Sequence, residues 1–260
     1  MAKLICLLLL NFVLHKKREN EKNSINYRSE QKYRLRTARQ LLKAGYFIYL
    51  GSRSLANGEA AVKQLNDEGF DDVALQLIDV TDLISIQNAV KELSAKTDHL
   101  DVLINNAGIS GVMPQNASET AMDNIRTVFE TNFFGVIQTI QAFLPLLKKS
   151  AAPRIVNVSS DLGSLGHHAD PEWQHYQVKL LAYNSSKTAL NAFTVMLAYE
   201  FKDSNFKINS VNPGYTATDF NHHTGYKTVE AGAEPIVKYA MLDSEGPTGG
   251  FFSDYGLTPW

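Results

Sequence analysis

At 260 residues the chain is long enough to bury one sizeable core, and 44% hydrophobic residues with a formal charge of −2 read as a soluble globular protein. Nothing in that balance favours nucleic acid or an anionic membrane as a partner. The single cysteine, Cys6, excludes an internal disulfide and suits a reducing, cytoplasmic setting.

In chain order, Leu4–Leu14 (LICLLLLNFVL) is an apolar run after Lys3, about half of the ~20 residues that a bilayer span needs. It resembles the core of a secretory signal, but KKREN follows where small cleavage-site residues belong. Residues 15–36 are highly charged and contain neither glycine nor proline, so they lack turn punctuation and a strand pattern. From Thr37 the organisation becomes regular. A helix over Thr37–Ala44 is closed by Gly45, the first glycine of the chain. Strand-like runs then recur at Tyr46–Leu50, Val73–Ile78, Asp101–Asn105, Arg154–Val158, Phe206–Val211 and near Gly250–Phe252. Helical patterns fill the gaps at Ala56–Asn66, Leu83–Ser94, Met122–Lys148, Tyr183–Phe201 and Thr228–Met241. This alternation predicts an α/β domain over 37–260, a parallel sheet covered by helices on both faces, with 1–36 as an atypical, poorly ordered N-terminal segment.

Several motifs sit at strand ends or helix starts. Asp101–Gly108 (DVLINNAG) is a strand with a small, polar C-terminal end; Ala107 and Gly108 permit close approach of a flat ring, and the asparagines can tie neighbouring strand ends together. Thr131–Gly135 (TNFFG) puts Asn132 inside an apolar helix, where an amide needs a partner. Arg154–Ser160 (RIVNVSS) is an apolar strand ending in two serines, where open α/β sheets hold their ligands. A hydroxyl there can stabilise charge on a carbonyl oxygen, although in isolation it reads as a cap or turn. Tyr183–Lys187 (YNSSK) starts a helix with phenol and ammonium about one turn apart, on one face. A nearby ammonium can move a phenol towards the neutral pKa that acid–base work requires, though the spacing alone is a weak signal. Asn212–Thr218 (NPGYTAT) forms a rigid turn after another strand.

In this order the motifs resemble the short-chain dehydrogenase/reductase family, of the single-domain, carbonyl-reductase-like type. The resemblance runs from Thr37 to the C-terminus and implies a doubly wound, Rossmann-type sheet. It implies a catalytic set of Asn132, Ser160, Tyr183 and Lys187, with no metal. By analogy Tyr183 exchanges a proton with the substrate oxygen, which Ser160 holds. Lys187 lowers the tyrosine pKa and binds the nicotinamide ribose, and Asn132 supports a proton relay. Arg53, just past the second strand, suits a ribose 2′-phosphate and favours NADP over NAD. Asp79 matches the position that contacts adenine, with Val80 beside it. Asn106, Ala107, Gly108, Pro213, Gly214, Thr216 and Thr218 match further cofactor-binding positions. The resemblance also implies a homodimer or homotetramer paired through the two long helices.

Two departures matter. Ser160 and Tyr183 are farther apart than is usual, and the extra residues around His167–Trp173 read as a loop over the substrate pocket. Neither His167–His168 nor His222–His223 makes a metal set, because adjacent side chains diverge and ligands are missing. The larger departure is the absent glycine-rich phosphate loop, which belongs between the first strand and the helix at Thr37. Permitted codons for Asn20–Arg36, read one base later, encode MKKTVLITGANKNTGYE, a start, an apolar strand and a glycine-bearing loop. One added base restores the frame at Thr37. The expectation is therefore a one-base deletion, or a sequencing error, near the codons for Arg36–Thr37, with residues 1–36 out of frame and the first strand and loop missing or replaced.

The leading function is NADP-dependent interconversion of a small-molecule carbonyl and alcohol. The alternatives are a remnant or non-catalytic binding protein that has lost cofactor affinity, and a reductase tethered through Leu4–Leu14.

Overall fold

The computed structural model describes residues 3–9, 29–217 and 224–260, with side chains from Leu35 onward in the first helix. Its elements are strands β1 (Ile5–Leu9), β2 (Phe47–Ser52), β3 (Val73–Leu77), β4 (Val102–Asn105), β5 (Arg154–Val158), β6 (Lys207–Val211), β7 (Phe251–Ser253) and β8 (Gly256–Leu257). The helices are α1 (Ser29–Lys43), α2 (Leu55–Asp67), α3 (Leu83–Ser94), α4 (Met122–Phe129), α5 (Gly135–Leu147), α6 (Leu165–Ala169), α7 (Leu181–Glu200) and α8 (Val229–Ala240).

The strands form one sheet in the order β3-β2-β1-β4-β5-β6-β7-β8, parallel except for the β7–β8 pair. Chain order reverses between β1 and β4, so a crevice opens at the C-terminal ends of these strands. Alternate side chains feed two cores. Cys6, Leu8, Ile48, Leu50, Ile104 and Val156 pack beneath α1, α2 and α8. Leu7, Tyr49, Leu103 and Ile155 pack on the opposite face beneath α3, α5 and α7. Buried Arg154 donates from its guanidinium to the carbonyls of Leu242 and Asp243, just past the C-terminus of α8, where a cation is favoured.

The expected Rossmann-type sheet is present, and its central slot is occupied. Ile5–Leu9 pairs with both β2 and β4. The Ile5 N–H donates to the Asp101 carboxylate at 2.7 Å, and the Asp101 N–H donates to the Ile5 carbonyl at 2.9 Å. The folded unit therefore extends behind the expected boundary at residue 37: α1 begins at Ser29, and Leu35 is fully buried. The described part of the run considered as an anchor is a sheet strand, with Cys6, Leu7 and Leu8 fully buried, and residues 10–14 lie outside the described residues. Among the described residues no helix is long and apolar enough to cross a membrane. The segment that would hold the phosphate loop, 10–28, lies outside the described residues, as do Thr218 and His222–His223.

The helix expected over Met122–Lys148 is divided by a π-helical turn at Glu130–Phe134, closed by the Gly135 N–H on the Glu130 carbonyl. Such a turn inserts one residue and rotates the rest of the helix by about 100°. Asn132 sits inside it.

Candidate active site

The site is built at the C-terminal ends of β4, β5 and β6. Beneath it runs a buried polar chain. The Asn105 amide donates to Asn157 Oδ1 at 2.9 Å, tying β4 to β5 as the sequence suggested. The Asn157 amide donates to Thr194 Oγ1 of α7, and the Ser210 hydroxyl of β6 donates to the same atom, both at 2.9 Å. Thr194 in turn donates to the Leu190 carbonyl. Every hydrogen-bonding capacity of that hydroxyl is used, so four elements share one rigid floor.

Asn132, fully buried, finds the partners its amide needs. Its Oδ1 accepts from the Ile109 N–H at 2.8 Å, and its Nδ2 donates to the Ile109 carbonyl at 2.9 Å and to Ser186 Oγ at 3.0 Å. The Ser186 hydroxyl donates to the Tyr183 carbonyl at 2.7 Å. Tyr183 is the third residue of α7, and Lys187 follows one turn later. The Lys187 ammonium donates to the Val158 carbonyl at 2.8 Å and lies 5.9 Å from the Tyr183 ring centroid.

Ser160 caps the short helical turn Asp161–Gly163, accepting from the Leu162 N–H at 3.2 Å. It is also hydrogen-bonded to Tyr183, so one hydroxyl serves the cap and faces the phenol. Gly163 lets this turn press against α7: a Cβ there would stand 2.8 Å from the Lys187 Cβ. A Cβ on Gly108 would meet Asn132 Oδ1 at 3.5 Å and the Lys187 ammonium at 3.6 Å. Gly108, Asn132, Ser160, Tyr183 and Lys187 thus converge.

Burial raises the Tyr183 pKa to about 12, and the hydrogen bond from Ser160 acts against that rise. The sequence led us to expect a phenol drawn towards neutrality by Lys187. The arrangement instead holds a neutral phenol, because enclosure outweighs the neighbouring groups.

The remaining predicted residues spread along the same edge. Arg53 is half-buried just beyond β2. The Asp79 carboxylate is engaged by its own turn, accepting from the N–H and hydroxyl of Thr81. Val80 packs behind it, its carbonyl 2.7 Å from where a Cβ on Gly135 would fall. Asn212 accepts from the Gly214 N–H at 3.0 Å, folding the Pro213–Gly214 turn, and Thr216 is buried beyond it.

The insertion after Ser160 forms an aromatic row. His167 stacks on Trp173 at 4.8 Å, Trp173 meets His175 edge-on at 5.4 Å, and His175 reaches Tyr215 at 6.0 Å. His168 accepts from the Lys179 ammonium at Nδ1 and donates from Nε2 to the Leu162 carbonyl, so both nitrogens serve the loop. The Tyr255 hydroxyl donates to Asp161 at 2.9 Å, joining the C-terminal hairpin to the residue next to Ser160. An open groove between α3 and α5, lined by Leu83, Gln87, Gln138 and Gln141, carries none of these groups.

Gly163 was missed from sequence, although a glycine three residues after Ser160 was a readable signal. Gln115, whose side chain binds the first turn of α7, left none.

The fold is the doubly wound, Rossmann-type sheet of a dehydrogenase family. The profile described as "short chain dehydrogenase" matches residues 35–228, and the chain belongs to that family. It is 39% identical over 214 residues to short-chain dehydrogenase anuI of Penicillium roqueforti, covering 80% of this chain and 84% of that one. It is 32% identical to (+)-neomenthol dehydrogenase of Capsicum annuum, the match covering 83% of this chain and 90% of that one. Among solved structures it resembles the NADPH-bound carbonyl reductase from chicken fatty liver, with a TM-score of 0.76, 26% identity, and coverage of 88% and 94%.

Proposed function

We propose that the protein interconverts a small-molecule carbonyl and its alcohol with NADP as the hydride partner, and that Asn132, Ser160, Tyr183 and Lys187 form its catalytic set. One observation carries this reading: the buried Tyr183 phenol is hydrogen-bonded to Ser160, with the Lys187 ammonium 5.9 Å from its ring centroid.

The cofactor fits the residues at the strand ends. Asn106 Nδ2, Ser159 Oγ and Asn212 Nδ2 are buried there without a hydrogen-bond partner among the described residues, past the ends of β4, β5 and β6 in turn. Such atoms are costly unless something accepts from or donates to them. Arg53 would hold the 2′-phosphate, as its planar, permanently charged head suits. Lys187, Asn106 and the Pro213–Thr216 turn would hold the nicotinamide half, and Asp79 with Val80 the adenine. When bound, NADPH supplies the hydride. Tyr183 donates its proton to the substrate oxygen as charge develops, and Ser160 donates a hydrogen bond to the same atom. Lys187 stabilises the resulting phenolate electrostatically. Asn132 fixes the loop at Ile109 and the start of α7 through Ser186. A cytoplasmic homo-oligomer is the corresponding expectation for its setting.

A second reading has its own support: the segment 10–28 contains no glycine, and the family match begins only at residue 35. Without glycines, side chains keep the backbone from a diphosphate, and a cofactor-deficient remnant results. NADPH fluorescence titration and turnover with aldehydes, ketones and quinones separate the two. The first reading expects binding, carbonyl-dependent NADPH consumption, and a fall of about 10²- to 10⁴-fold in kcat for Tyr183→Phe with binding retained. The second expects binding only after residues 20–36 are replaced by MKKTVLITGANKNTGYE. Absence of turnover in both chains sinks the catalytic proposal.

A further inference from the structure

The loop after β4 is held by amide side chains instead of regular secondary structure. Asn132 binds the N–H and the carbonyl of Ile109, and Asn124 does the same to Val112, at 2.8 Å in both directions. Gln115 is the third such residue, and it reaches out of the loop. Its Nε2 donates to the Ser110 carbonyl at 2.6 Å, while its Oε1 accepts from the backbone N–H of Ala182 at 3.0 Å and of Tyr183 at 3.1 Å. Its own carbonyl accepts from the Leu181 N–H at 3.1 Å.

Those are the first three N–H groups of α7, and no carbonyl within the helix can reach them. Leu180, at the N-cap position, makes no side-chain cap. The amide groups that open the tyrosine-bearing helix therefore all end on one residue, 67 and 68 positions away for the two that its side chain binds. Gln115 is 2% exposed, so no water can take over its bonds without rearrangement. A serine or threonine at Leu180 would hold the turn equally well. It would not tie that turn to the loop carrying Asn106, Ala107 and Gly108.

We propose that Gln115 is a positioning residue for Tyr183: it caps α7 from the neighbouring loop and so fixes the phenol relative to the groups that surround the substrate. This rests on the reading of Tyr183 as the proton donor. An unheld first turn frays, and a shift of ~1 Å in a reacting group can cost about 10²-fold in rate.

The test is Gln115→Met, close in size but unable to accept or donate strongly, alongside Gln115→Glu. In Gln115→Met, kcat should fall about 10- to 100-fold while the NADPH KM changes by no more than about twofold. Hydrogen exchange at the Ala182 and Tyr183 amides should accelerate about tenfold or more, a readout that needs no turnover. Gln115→Glu should recover kcat on the acid side of its own carboxyl pKa, where one oxygen accepts from both amides and the protonated one faces Ser110. If the methionine variant does not fold, the glutamate variant carries the test through that recovery. An unchanged kcat in Gln115→Met, a lost kcat without faster amide exchange, or a glutamate variant with no acid-side recovery overturns the inference. A wild-type chain that binds NADPH and reduces nothing overturns the underlying reading as well, which an active wild type matched by Gln115→Met does not.

Discussion

Tyr183 illustrates how a burial effect can reverse an expectation drawn from residue type. A lysine one turn away suggested a lowered pKa, yet enclosure raises it to about 12, with only Ser160 opposing. The raised value means that the phenol stays protonated through neutral and moderately alkaline pH. Carbonyl reduction, which needs the proton, should therefore be flat in kcat between about pH 7 and 9.5. Alcohol oxidation, which needs the phenolate, should rise about tenfold per pH unit over the same range. Steady-state profiles in both directions check this; an alkaline fall in reduction below about pH 9 that Tyr183→Phe abolishes would refute it. The same shift has a stability consequence: its contribution is intact below the unfolded tyrosine value of about 10 and is lost as pH rises towards 12. The types and order of Asn132, Ser160, Tyr183 and Lys187 were legible because each lies in a short local pattern. Protonation was not, because it depends on what encloses the phenol. Gln115 was invisible for a related reason, since its partners lie in another element and leave no periodicity.

At the level of elements, apolar runs and alternating periods located the strands from β2 to β7 and the helices that cover them, usually within a few residues. The π turn in Met122–Lys148 was not legible, because one inserted residue perturbs a helical period too little to be read against its background. Its importance lies in what it presents. Asn132 satisfies both backbone groups of Ile109 from a fully buried position, whereas Asn124 performs the same service for Val112 on an exposed stretch. The difference in solvent access should decide the cost of losing each clamp. Asn132→Ala removes both partners of the half-buried Ile109 backbone and the donor to Ser186 Oγ, which keeps only its bond to the Tyr183 carbonyl, and should destabilise the protein by about 2–4 kcal/mol. Asn124→Ala lets water replace the amide and should cost about 1 kcal/mol or less. Urea unfolding of the two variants, followed by circular dichroism, compares them directly; equal losses would show that the clamps do not differ as their burial requires.

The whole molecule depends on what fills the centre of its sheet. Without a strand between β2 and β4, the facing N–H and C=O groups of both would be buried and unpaired, each a cost of about 1–3 kcal/mol. A parallel slot buried on both faces asks mainly for a short run of apolar residues, because backbone groups make the ladder whatever the side chains are. Ile5–Leu9 meets that demand, although the sequence reading placed it, as part of the apolar run Leu4–Leu14, in an atypical and poorly ordered N-terminal segment. Side-chain alternation makes the assignment testable. Leu7 is fully buried against one helical layer, next to Tyr49 and Leu103 in the ladder, while Cys6 and Leu8 face the other layer. Leu7→Ala should then cost about 2–5 kcal/mol, as buried leucine truncations do, with an unchanged dependence on denaturant. Leu4 is half-exposed before the strand, so Leu4→Ala should stay within about 0.5 kcal/mol. A Leu7→Ala chain as stable as its parent would remove Ile5–Leu9 from the sheet.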